Sequence, residues 1–395
     1  MKNLKKYRRI LSKTILGAIK IIVKKESPAL LYAGLRCAII LLLTGALISS
    51  CGDTVSVTPY GVFGKSRLQH VLGQDGVSPV DFSPSVTMWT FSDTILGSWK
   101  GDVSTAATFS ERADISTMIS NSLAFTGPLT PETVHTLSFA YYKKNKKVQQ
   151  FIRHKKSESP EKVRLWALDG IRMGNRVYVY YLHIVITDPS KLLSFRVDKI
   201  GLARWDVPRG WKIGDPVHFR RLPYLFGDKY PAFGACVIKK DGYIYTVGQY
   251  ADKNFSSPVK IARVRCEYIE DGNAYEFLRS NGTWVRDISA ADSFLGDVQG
   301  ECSLSYNNWL NKYVILYCQT WKNRMIMVTF DDFSQLAGAE KKVIFTMPSL
   351  PEKAIQSMQV YYSGKEIFSW KNLIYAIYIN PLDYQPYLLK LSLTK

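Results

Sequence analysis

Gly234-Ala235-Cys236-Val237-Ile238-Lys239-Lys240-Asp241-Gly242-Tyr243-Ile244-Tyr245-Thr246-Val247, followed by Val259-Lys260-Ile261-Ala262-Arg263-Val264, is the stretch that decides the fold. Two runs rich in β-branched and aromatic residues flank an Asp-Gly turn, which is the signature of a hairpin, and a third strand follows. The same order occurs in Asp169-Gly170-Ile171-Arg172-Met173, Val177-Tyr178-Val179-Tyr180-Tyr181 and Ile200-Gly201-Leu202-Ala203-Arg204-Trp205. It returns in Cys302-Ser303-Leu304-Ser305-Tyr306, Tyr313-Val314-Ile315-Leu316-Tyr317 and Met325-Ile326-Met327-Val328. A last copy holds Leu373-Ile374-Tyr375-Ala376-Ile377-Tyr378 and Tyr387-Leu388-Leu389-Lys390-Leu391, and an earlier one holds Thr87-Met88-Trp89-Thr90-Phe91.

The second strands of the four later copies begin near residues 177, 243, 313 and 373, in steps of 66, 70 and 60 residues. Antiparallel sheets repeating at such a step read as propeller blades, each of which covers its faces only against its neighbours. The expected fold is all-β, a five-bladed β-propeller over residues 71–395; a pair of β-sandwiches is the alternative architecture. No long helical periodicity interrupts it.

The N-terminus reads differently. Basic residues from Lys2 to Arg36 precede a largely apolar run, Cys37 to Ile48, and Ser49-Ser50-Cys51 ends it with small residues and a cysteine. That order is a bacterial lipoprotein signal peptide over residues 1–50, with Cys51 as the lipidated residue and 51–70 as a linker. An amphipathic stretch, Ile10 to Val23, makes the signal unusually long. The twelve-residue run is shorter than the roughly 18 to 20 residues that cross a bilayer, which leaves a plain transmembrane anchor as the second reading. The expected location is the bacterial cell envelope, with the chain held to a membrane through Cys51.

Charge carries less than it first suggests. The formal net charge is +19, but ten of the 52 basic residues and one of the 33 acidic residues precede Cys51, so the remainder has a balance of +10. Lys143-Lys144-Asn145-Lys146-Lys147 and His154-Lys155-Lys156 read as solvated loop tips, with contact to an anionic glycan or lipid headgroup as the other reading. No basic-aromatic module indicates a nucleic-acid partner. Cys236, Cys266, Cys302 and Cys318 either form two disulfides or serve as buried apolar thiols. The five histidines and the cysteines show no metal spacing, and no cofactor motif is present, although a central-channel cation is compatible with a propeller.

Gly73-Gln74-Asp75-Gly76, Met88-Trp89-Thr90-Phe91-Ser92-Asp93-Thr94 and Ser120-Asn121-Ser122-Leu123-Ala124 resemble the opening of a bacterial five-bladed propeller family first catalogued as a domain of unknown function, DUF family 4185. Phe233-Gly234-Ala235, Ala262-Arg263-Val264 and Gly300-Glu301-Cys302-Ser303-Leu304-Ser305-Tyr306-Asn307 are similar to its later landmarks. Some members are endo-D-arabinanases, so the resemblance implies a furanose polymer as substrate. Ser92 stands where the family's Phe-Gly-Asp-Thr motif has glycine.

Glycosidic cleavage commonly uses two carboxyl groups, one donating a proton to the leaving oxygen and one attacking or activating water. Asp75, Asp93 and Glu301 are the candidate catalytic residues, with Asp93 and Asp75 as the pair. Asn121, Asp169 and Arg263 are the candidate substrate-binding residues. Asp75-Gly76 and Asp169-Gly170 also fit ordinary turns, and Asn121 also fits a loop-closing role. Trp89, Trp166, Trp205, Trp211, Trp284 and Trp321 are possible sugar platforms or blade filling. The expected function is a lipid-anchored glycoside hydrolase acting on a polysaccharide; a non-catalytic propeller binding glycan or protein is the alternative.

Overall fold

The computed structural model describes residues 54–64, 70–100, 113–191, 194–250 and 257–394. The signal segment and Cys51 lie outside the described residues. Among those described, strands dominate, the one α-helix is Glu352–Gln356, and no helix is long and apolar enough to cross a membrane.

The strands form successive antiparallel meanders. Ser78–Ser83, Val86–Phe91, Ser122–Thr126 and Ala140–Tyr141 pair in that order. Val163–Met173, Arg176–Ile186, Phe195–Asp206 and Arg220–Gly227 form the next sheet. Cys236–Lys240, Tyr243–Gln249 and Ser257–Arg265 follow, then Phe294–Asn307, Lys312–Gln319, Arg324–Phe330 and Lys341–Thr346. The last two groups are fused, because Ser257 and Val259 pair with Val298 and Phe294. The final sheet contains Tyr362–Trp370, Leu373–Asn380 and Gln385–Thr394, with Thr54–Val62 added at its edge.

That edge strand corrects the expected linker. Residues 54–62 were expected to tether the domain, whereas they pair with the C-terminal strand, and Phe63 N–H donates to Pro386 O at 2.7 Å. Pro59 is tolerated because an edge strand does not need every backbone donor.

Period-two alternation explains why the strands read as continuous apolar runs. Val177, Val179 and Tyr181 face one apolar layer, shared with the preceding sheet, while Tyr178, Tyr180 and Leu182 face the layer shared with the following one. Val314, Leu316 and Cys318 alternate in the same way with Tyr313, Ile315 and Tyr317. Tyr375, Ile377 and Ile379 of the last sheet share a layer with Trp89, Phe91 and Phe139 of the first. Every meander is therefore apolar on both faces, and none buries them alone. Each such side chain is worth roughly 1.5 to 3 kcal/mol when fully buried. The result is a propeller-like, all-β body.

The Asp241-Gly242 turn behaves as its sequence predicts. Both residues have positive φ, 51° and 80°, as a two-residue hairpin requires, and Lys240 pairs with Tyr243 across it. The Lys143–Lys147 cluster forms the tip of a small exposed hairpin. All four described cysteines are free thiols, three of them buried.

Candidate active site

The first strands of the meanders lie beside one another, and their irregularities fall where the acidic residues are. In Val163–Met173 the register slips between Ala167 and Gly170, in Phe294–Asn307 between Gln299 and Ser303, and in Tyr362–Trp370 between Tyr362 and Lys365. Bulges of this kind re-aim side chains and recur next to functional sites. The repeat as read in the sequence begins its copies at Asp169 and at Cys302, just after Glu301; in the structure both acids sit inside their strands, at these bulges.

Asp75 and Asp93 are brought together by pairing. Gln74 pairs with Thr94 in a small rim sheet and Ser78 pairs with Thr90 in the adjoining meander, so the two aspartates face each other between the ladders. Asp75 N–H donates to Asp93 O at 3.3 Å, and Ser92 N–H to Asp75 O at 2.9 Å. Gly76 is left-handed, φ 59°, and a Cβ there would lie 2.2 Å from Ser92 Oγ. Ser92 fits its place: its hydroxyl donates to Ala167 O at 2.6 Å, and Thr90 Oγ1 donates to Leu168 O at 2.7 Å. These two bonds dock the aspartate turn onto the bulge of the next strand.

Two tyrosines absent from the sequence expectations hold Asp75. Tyr384 and Tyr362 donate to its Oδ2 at 2.6 and 3.0 Å. Asp75 Oδ1 and Asp93 Oδ1 are both buried without a hydrogen-bond partner. Burial raises the Asp75 carboxyl well above the usual carboxylate range, and the charges of Asp93 and Glu301 add to the rise against the two tyrosines. Burial pushes Asp93 up to about 6, with Arg164 and the Trp166 indole opposing it. The indole nitrogen makes no hydrogen bond of its own, so its effect on Asp93 is that of a nearby dipole.

Glu301 completes the group from the other side. Gly300 has φ 69°, and a Cβ there would meet Ser363 N at 2.9 Å, so only glycine allows this approach. The Ser363 hydroxyl donates to Glu301. Asp75, Asp93 and Glu301 thus form one electrostatically linked cluster at the same rim. Among the described residues no three His, Cys, Asp or Glu side chains gather in a metal-binding group.

The expected substrate-binding residues have other work. Asn121 is buried, donates through Nδ2 to Ile152 O and Leu165 O, and accepts at Oδ1 from Phe151 and Ile152 N–H. Its polar capacity is spent on main chain, so it locks a loop and has none left for a sugar hydroxyl. Asp169 accepts from Gly170 N–H at 2.8 Å and from Val237 N–H at 2.6 Å, and stitches two neighbouring first strands together. Burial pushes it up to about 7 against the nearby Lys365 ammonium and those two bonds. Lys365 itself is buried and donates to Ser78 Oγ at 2.7 Å. Arg263 donates to Glu276 at 2.8 Å and stacks over Tyr243 and Trp284, away from the acidic cluster. Of the tryptophans, Trp89 and Trp205 are fully buried filling, and Trp166, half-buried, is the one beside Asp93.

Among solved structures, the chain is similar to a "putative hydrolase" from Bacteroides ovatus, with TM-score 0.59 and 17% identity over 87% of this chain and 92% of that one. Weaker likenesses are Zg3597, a family 117 glycoside hydrolase of Zobellia galactanivorans (TM-score 0.45, 10% identity, 86% and 90% covered), and a GH43_1 enzyme of Xanthomonas citri (0.44, 14%, 86% and 90%). At such identities the first likeness speaks for the fold alone. The comparison with curated proteins finds no match. Residues 67–395 match the model named Domain of unknown function (DUF4185), which takes in the acidic cluster and every meander, and the chain therefore belongs to that family.

Proposed function

We propose that this protein is an exported, lipid-anchored glycoside hydrolase of the bacterial cell envelope, built on a five-bladed propeller and cleaving a polysaccharide. The observation that carries the reading is the pairing of Asp75 with Asp93, each with a buried carboxyl oxygen lacking a partner. Unsatisfied buried acceptors are rare and call for a functional explanation. Carboxyls pushed apart in proton affinity divide the two roles of glycosidic cleavage.

Asp75, the more strongly raised, keeps its proton near neutral pH and donates it to the leaving glycosidic oxygen. Asp93, at about 6, is mostly ionised there; it attacks the anomeric carbon or takes a proton from the water that does. Glu301 acts through Asp75, since its charge holds that proton in place. Trp166 offers an aromatic face beside the pair. The family resemblance favours an arabinan-like furanose polymer, and Cys51 is the lipidated anchor.

The test is incubation of the detergent-solubilised full-length protein with D-arabinan and a panel of plant and envelope polysaccharides, reading new reducing ends. Cleavage that disappears in Asp93→Asn, with the circular dichroism spectrum retained, supports the assignment. Binding across the panel with no new ends would replace it with a non-catalytic glycan-binding role.

A further inference from the structure

The acidic cluster lies at one end of the strands, and a separate groove of about 680 Å³ lies at the other. Arg164 and Trp166, which act on Asp93, stand near the start of Val163–Met173, while Arg172 of the groove stands near its end. Eight residues of extended chain separate Arg164 from Arg172, roughly 25 Å. The groove is thus independent of the proposed catalytic end. Its volume falls within the roughly 300 to 1,000 Å³ typical of ligand sites.

Its walls combine aromatic surface with cations. Trp211 is fixed among Phe82, Phe125 and Trp205 at centroid distances of 5.1, 4.8 and 5.0 Å, and its indole N–H donates to Pro216 O at 3.3 Å. Arg172 lies over the Phe82 ring, 4.4 Å from its centroid, and donates through Nε to Gly174 O and through Nη1 to Phe82 O. That leaves its Nη2 edge as the available donor, already oriented. Arg209 and Lys212 line the same groove, are exposed, and form no ion pair among the described residues. Among the described residues, no carboxylate lines the groove. Two acids close in sequence to the lining residues are engaged: Asp206 bridges to Arg176, Arg204 and Arg220, and Asp215 accepts from Lys212 N–H.

We propose that this groove is a second carbohydrate site, which holds an acidic sugar chain with ring faces on Trp211 and carboxylate, sulfate or phosphate substituents on Arg172, Arg209 and Lys212. A rigid aromatic wall suits a sugar ring, and three cations without a competing acid suit its charge. A lipid headgroup would draw on the same cations yet needs no aromatic wall.

Calorimetric titration of full-length Asp93→Asn protein with hexagalacturonate reads this site without hydrolysis. Expected are saturable binding, at least a tenfold loss of affinity in the added Arg209→Glu/Lys212→Glu pair, and no effect of that pair on a neutral arabino-oligosaccharide. In the otherwise unaltered protein, the pair leaves any hydrolysis of a neutral polymer unchanged. Absence of hexagalacturonate binding, equal affinity in the charge-reversed protein, or binding of phosphatidylglycerol vesicles in its place overturns the proposal. Because binding is read in a protein with its proposed nucleophile or base removed, failure here is distinct from failure of the hydrolase reading.

Discussion

The Tyr384 hydroxyl donates to Asp75 Oδ2 at 2.6 Å, across the seam where the last meander meets the first. A donor to the carboxylate favours its ionised form, so Tyr384 opposes the rise that burial, Asp93 and Glu301 impose. In Tyr384→Phe the Asp75 proton is held more firmly. The profile of kcat/KM against pH is expected to have an acid limb near pH 6, from Asp93, and an alkaline limb from Asp75. Losing one hydrogen bond to a charged group moves the alkaline limb upward by roughly one pH unit and leaves the acid limb in place. An unmoved alkaline limb would remove Tyr384 as a positioning residue.

Asn121→Ala separates a lock from a ligand contact. The substitution strips partners from two buried N–H groups and two carbonyls, so unfolding free energy should fall by roughly 3 kcal/mol or more, measured by urea titration. Hydrolysis per folded molecule should stay within about twofold at low temperature. A stable variant with weakened substrate binding would restore the sugar-contact role.

Asp169 gives stability a pH dependence of unusual sign. Its carboxyl holds a proton more tightly when folded, at about 7, than in the unfolded chain, near 3.8. The contribution is complete below the unfolded value, erodes as pH climbs through that interval and levels off above it. Melting temperature followed from pH 4 to 8 should decline with pH, less so in Asp169→Asn. A profile in the variant as steep as in the parent would show that another group is responsible.

Cys51→Ala should abolish incorporation of radiolabelled fatty acid while the solubilised protein keeps its far-ultraviolet spectrum. Continued labelling would point to a different anchor.

How much of this was legible in the chain follows from where the information resides. Alternating apolar residues such as Val177 to Leu182 state both faces of a strand locally, and Asp241-Gly242 states its own turn, so the meanders could be read directly. The candidate acids were likewise visible, as carboxylates next to strand boundaries. Three things were not. A bulge depends on pairing partners, so the displacement of Asp169 and Glu301 into their strands has no local signal. Tyr384 and Tyr362 reach Asp75 from about 300 residues away in sequence, where they look like any turn or strand tyrosine. Thr54–Val62 carries Pro59 and Gly61, which read as linker, and only its distant partner makes it a strand. Asn121 had the right residue type for either role; the number of main-chain groups around it decides between them.

Thr54–Val62 is made first among the described strands, and its partner Gln385–Thr394 is made last. A nascent chain of any shorter length exposes the apolar layers on both sides of the missing final meander. Loop-closure entropy for so distant a pair must be met before the contact rewards it, and topologies of this kind mature slowly. Removing Gln385–Thr394 should therefore yield a protease-sensitive product rather than a shortened but stable one, because Thr54–Val62 loses its pairing partner and the layer shared by the first and last sheets is opened.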